Sequence, residues 1–138
     1  MAVTNPYDQY VDNQVMTATP GRLLILTYDA AIRFARASQE AIKNQDYYEL
    51  SQNIKKAQNV LISLIGALNH EVDEQLTSNL DAIYRYSFDK LSDACVNDNL
   101  DSLNEVIHIL TDLRLAWVEA EKSVRSGEAF RQQGVQAA

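Results

Sequence analysis

Residues that bend a chain are scarce here: 138 residues include four glycines and two prolines. With so little turn chemistry, many short strands are disfavoured and a few long helices are favoured. Cysteine is scarcer still. The one thiol, Cys95, has no partner for an intramolecular disulfide, so nothing points to an oxidising compartment. Its apolar helical setting marks it as a buried, inert side chain. Cations are also short: twelve Lys and Arg face nineteen Asp and Glu, a formal net charge of −7. Such a surface repels a phosphate backbone, and no basic face offsets it, Lys55-Lys56 being the densest pair. Nucleic acid is not an expected partner. No stretch approaches the roughly eighteen apolar residues of a membrane span, so no membrane insertion is expected. Met1 to Gln14 is polar and lacks the apolar core of a signal peptide. The expectation is a cytoplasmic protein.

What is abundant is apolar helical periodicity. Apolar residues make up 46% of the chain and charged ones 22%, a globular balance suited to one domain. The first periodic segment opens at Thr19-Pro20-Gly21, where Thr19 can cap and Pro20 suits the first helical position. Leu24, Tyr28, Ala31, Ala35, Ser38 and Ile42 then share one face. Asp46 and Glu49 resemble a capping box opening a second helix, along which Leu50, Ile54, Ala57, Leu61, Leu64 and Leu68 keep the same rhythm. Asn69 to Glu74 reads as a loop. Leu76, Leu80, Ile83, Tyr84, Ser87, Leu91 and Ala94 mark a third helix, and Val96 to Asn99 a short connection. Leu103, Val106, Leu110, Leu113, Trp117 and Ala120 mark a fourth. Short connections between long helices predict antiparallel neighbours. The expected fold is all-α, an antiparallel up-down four-helix bundle over residues 19–122. It is preceded by an irregular N-terminal arm, 1–18, and followed by a flexible tail, 123–138, poor in apolar residues.

Residue patterns for chemistry are incomplete. Glu105-x-x-His108 matches one half of a di-iron pair, but His70 has no Glu three residues before it, so the mate is missing. His70-Glu71-Val72-Asp73-Glu74 lacks the second histidine of a zinc protease motif. There is no phosphate loop, no nucleophile elbow and no evident Cys–His dyad. Neither a catalytic residue, a metal site nor a cofactor is expected, and the protein is read as no enzyme.

The helices carry more apolar area than one stripe requires. Leu23, Leu24, Ile25 and Leu26 run in succession, and Val60, Ile62 and Ile65 widen the second stripe. Wide stripes follow from helices with two neighbours; they also follow from a groove that accepts an amphipathic partner. A weak homodimer is a further use of the same surplus. Periodicity leaves all three open.

Certain residues together resemble the FliS family. Asn5-Pro6-Tyr7-x-x-Tyr10, Val15-x-Thr17-Ala18-Thr19-Pro20-Gly21-x-Leu23 and Leu26-x-Tyr28-Asp29 resemble its N-terminal signature. Lys56-Ala57-Gln58-Asn59-Val60-Leu61, Asn79-Leu80-x-x-Ile83-Tyr84-x-Tyr86 and Leu113-Arg114-x-x-Trp117-x-x-Ala120 resemble its later helices in order. His70-Glu71-Val72-Asp73 stands where many relatives have a glycine pair. The resemblance implies an export chaperone that binds the disordered C-terminal segment of flagellin. It further implies prevention of premature polymerisation and delivery to the flagellar export apparatus. The export gate and other flagellar regulators are then further partners. On this reading Tyr7 and Tyr10 belong to an arm that covers an apolar groove, with Leu23, Leu26, Tyr28, Ile62, Ile65 and Tyr84 as groove positions. Trp117 is assigned to the core.

Overall fold

The computed structural model describes residues 19–137, with side chains described through Gly127. The expected arm, with Tyr7 and Tyr10, lies outside the described residues. Four helices follow one another: α1 (Pro20–Lys43), α2 (Tyr47–Gly66), α3 (Glu74–Asn97) and α4 (Leu100–Ala137), and no strand occurs among the described residues.

Each helix starts where a short polar side chain can satisfy an unpaired backbone N–H. The Thr19 hydroxyl accepts from the Arg22 N–H at 3.2 Å, with Pro20 at the first helical position. Asp46 accepts from Glu49 at 3.1 Å, Asp73 from Leu76 at 3.0 Å and Asn99 from Ser102 at 3.2 Å. The Asp46 capping box is one-sided. The Asp46 N–H donates to the Ala41 carbonyl at 2.9 Å, and Glu49 instead accepts from the Asn53 side chain. Helix α3 opens two residues before its first apolar residue and continues to Asn97, leaving a connection of Asp98 and Asn99. Asp98 takes the left-handed conformation there, with φ 51°. Aspartate tolerates that conformation better than most side chains.

Asp93 binds this turn together. One carboxylate oxygen accepts from the Ser102 hydroxyl at 2.6 Å and the Asn99 amide at 2.8 Å; the other accepts from the Asn97 amide at 2.7 Å. The Ser102 hydroxyl, followed by the Asn97 amide, holds the Asp93 carboxyl below its ordinary range. A carboxylate whose pKa falls on folding stabilises the fold above its unfolded pKa of about 3.9, and that contribution is lost as pH falls through the folded value. Asp93→Asn is therefore expected to melt below the parent at neutral pH. The gap should close under acid, below about pH 4. Thermal melts at a series of pH values check this, and a gap unchanged by acid contradicts it.

The helices form a ring in which α1 packs on α2 and α4, and α3 on the same two, the α1 seams being the tighter. Cross-seam contacts fix an antiparallel register between α1 and α4: Gln39 bonds Asn104, Asp29 pairs with Arg114, and Gly21 faces Glu121. Tyr28, Ala31, Ala35, Leu50, Ile54, Ala57, Leu61, Leu64, Leu80, Tyr84, Leu91, Leu103, Val106 and Leu110 fill the interior. They are drawn from all four expected stripes. The up-down bundle is the observed fold.

Helix α4 continues through the expected tail to Ala137. Apolar content falls there, but helix-favouring residues persist and no proline intervenes. Glu119 pairs with Lys122, and Glu121 with Arg125 at 2.6 Å, at helical spacing. Past Glu121, beside the first turn of α1, the helix axis runs on for roughly 20 Å.

Candidate functional site: an apolar furrow at one end of the bundle

The start of α1, the α2–α3 loop and the outgoing part of α4 meet at one end of the ring. Two of the hollows that open there adjoin through shared apolar side chains. The larger, about 650 Å³, lies between the first turn of α1 and α4 and is lined by Pro20, Gly21, Leu24, Trp117, Ala120 and Val124, with Thr19, Glu121 and Arg125 at its polar margin. The smaller, about 220 Å³, lies under the α2–α3 loop and is lined chiefly by Leu24, Leu64, Leu68, Val72, Leu76, Leu80, Tyr84 and Trp117. Leu24 and Trp117 belong to both, so the hollows read as one furrow. Most of its lining is aliphatic or aromatic carbon, which gains from covering by another apolar surface.

Beneath the furrow three helices are joined by ring hydroxyls and an indole. Tyr28 is fully buried and Tyr84 is 2% exposed. Their hydroxyls share a hydrogen bond, and the Trp117 indole N–H donates to the Tyr28 hydroxyl at 3.1 Å. Burial pushes both phenols above the ordinary tyrosine range, partly offset at Tyr28 by its bonds with Tyr84 and Trp117. Both therefore remain protonated at neutral pH. Beside them the Arg114 guanidinium on α4 pairs with Asp29 on α1. Segments that resemble family motifs in the sequence thus meet in space, as the clasp under the furrow.

The expected groove positions divide into two groups. Tyr28 and Tyr84 lie in the core, because each sits on the stripe its helix turns inward and each finds a polar partner there. Tyr84 reaches the smaller hollow only as its floor. Leu23 is 40% and Ile62 53% exposed, and Leu26 and Ile65 are half-buried; they line neither hollow and form apolar patches on α1 and α2. Trp117, expected in the core, packs on it and also borders both hollows. Leu24, read as core, packs against it and also lines both hollows, and Val124, within the expected tail, lines the larger one.

Glu105 and His108 do not converge. Glu105 accepts from the Tyr86 hydroxyl and pairs with Lys90, while exposed His108 pairs with Asp112 at 3.2 Å. No group of three or more potential metal-ligating side chains occurs among the described residues, nor does any helix long and apolar enough to cross a membrane.

Among the described residues, then, the protein is a helical bundle with an apolar furrow at one end, a shape suited to docking another polypeptide. Comparison with known proteins gives the particular family. The model of the flagellar protein FliS family matches residues 3–124. The chain is 37% identical over 125 residues to the flagellar secretion chaperone FliS of Bacillus subtilis (strain 168), covering 91% of this chain and 92% of that one. It is 29% identical over 117 residues to the namesake of Campylobacter jejuni, covering 85% and 91%. A crystal structure of a bacterial flagellar chaperone superposes with TM-score 0.72 at 19% identity, covering 85% of this chain and 95% of its own, which supports the fold. This chain belongs to the FliS family.

Proposed function

We propose that the protein is a cytoplasmic export chaperone that holds the disordered C-terminal segment of flagellin along the furrow. In doing so it blocks premature polymerisation and assists delivery to the flagellar export apparatus. The observation that carries this reading is the apolar furrow formed by Leu24, Trp117, Leu76 and Val124 in a member of the FliS family. A disordered client loses ordering entropy on binding, so its retention demands extended apolar contact of this kind. The patches at Leu23 and Leu26 on α1, and at Ile62 and Ile65 on α2, serve as flanking contacts for a client longer than the furrow. The export gate and other flagellar regulators act on the loaded complex. Holding and release are equilibrium steps that call for no cofactor.

Titration calorimetry with a flagellin C-terminal peptide tests the proposal. Binding is expected at micromolar concentrations or below, with a negative heat-capacity change from apolar burial. A flat titration would overturn it. Sedimentation of the free protein separates the remaining use of the same surface, because a dimer that the peptide fails to dissociate would place self-association there instead.

A further inference from the structure

We infer that Tyr28, although buried beyond reach of any client, is a positioning residue for client binding: it sets the shape of the furrow by holding the Trp117 indole across the boundary between the two hollows. The inference rests on the chaperone reading for its client and on geometry for the rest. Trp117 is one of two side chains common to both hollows, so its orientation decides whether they form one furrow. The other, Leu24, has no polar group with which to be fixed. The indole has one, and it is engaged: its N–H donates to the Tyr28 hydroxyl at 3.1 Å. Tyr28 in turn cannot swing aside, because it is fully buried and its hydroxyl is also bonded to Tyr84 on α3. A partly buried ring on α4 is therefore anchored to a rigid point within the core. Preorganisation of this kind lowers the ordering cost of binding without adding a contact.

An indole deprived of its acceptor keeps its apolar contacts but has no reason to prefer one orientation. Its N–H would then seek water, which turns the ring toward the hollow it borders. Tyr28→Phe removes the acceptor while keeping the ring that fills the core.

The sequence contains a single tryptophan, so emission excited at the red edge of the aromatic band, where tyrosine does not absorb, reports Trp117 alone. Without any client, Tyr28→Phe is expected to shift this emission to the red and raise its quenching by acrylamide. With the flagellin C-terminal peptide, the variant is expected to bind three- to tenfold more weakly, on the order of one lost neutral hydrogen bond. Ile54→Val, a mild core change in α2 away from the furrow, shows what lost stability alone does to affinity; it is expected to bind as the parent does. Unchanged quenching in Tyr28→Phe overturns the inference before any client is added. So does a released indole with undiminished affinity, or an equal loss of affinity in Ile54→Val. Those results leave the chaperone reading standing, whereas failure of the parent itself to bind the peptide removes both.

Discussion

Replacing Leu76 and Val124 together by aspartate is expected to weaken binding of a flagellin C-terminal peptide by about a hundredfold or more. Leu76 lines the smaller hollow and Val124 the larger, so the pair places one charge in each half of the furrow. Covering a carboxylate with apolar client surface strips its water without supplying a partner. A loss of only 1–2 kcal/mol at each site suffices for the predicted drop. The fold should tolerate the change, because Leu76 is 48% and Val124 59% exposed, and the melting temperature is expected to move by only a few degrees. The companion pair Leu23→Asp and Ile62→Asp touches the outer patches and neither hollow. Its expected cost is about tenfold, in keeping with a flanking contact. Calorimetry on both double variants checks the ranking. Full affinity in Leu76→Asp/Val124→Asp would remove the furrow from the client's path.

Leu61→Ala is expected to destabilise the bundle by about 2–5 kcal/mol. Leu61 is completely enclosed, in the layer that α2 contributes to the interior. Two costs combine. The apolar carbon removed no longer gains from leaving water, and the surrounding helices relax only partly into the space. For a domain of this size that corresponds to a melting temperature lower by roughly 10 °C or more. Urea unfolding should show a lower midpoint with an unchanged slope, since the surface exposed on unfolding barely alters. A shift under about 1 kcal/mol would mean that this layer is looser than its burial implies.

The fold was largely legible because helix formation and core burial are read from local spacing. Thr19-Pro20 and Asp46 mark two helix starts, and both cap as expected. The stripe through Leu50, Ile54, Ala57, Leu61, Leu64 and Leu68 is buried as far as Leu64 and half-buried at Leu68. The helical backbone at the end of α4 was less legible: apolar residues thin out there, and helix is carried by propensity and i,i+4 pairs such as Glu121 with Arg125.

The candidate site was harder to read, and Tyr28 shows why. Its spacing puts it on the inward stripe, yet its hydroxyl suggests a wet margin. Sequence alone carries no means of seeing that Tyr84, 56 positions later, and Trp117, 89 positions later, supply partners inside. Leu24 and Val124 pose the opposite case. They follow the same stripes as core residues, but sit where the ring runs out of neighbours to cover them.

The amino-acid sequence by itself determined four amphipathic helices, their antiparallel order, an acidic surface and the family signature, because all of these depend on residue type and short-range spacing. Tertiary structure alone decided which apolar side chains stay uncovered. That depends on the unequal lengths of the helices: α4 runs on past the first turn of α1 and the α2–α3 loop, and the mismatch leaves a furrow at that end with Trp117 pinned across it.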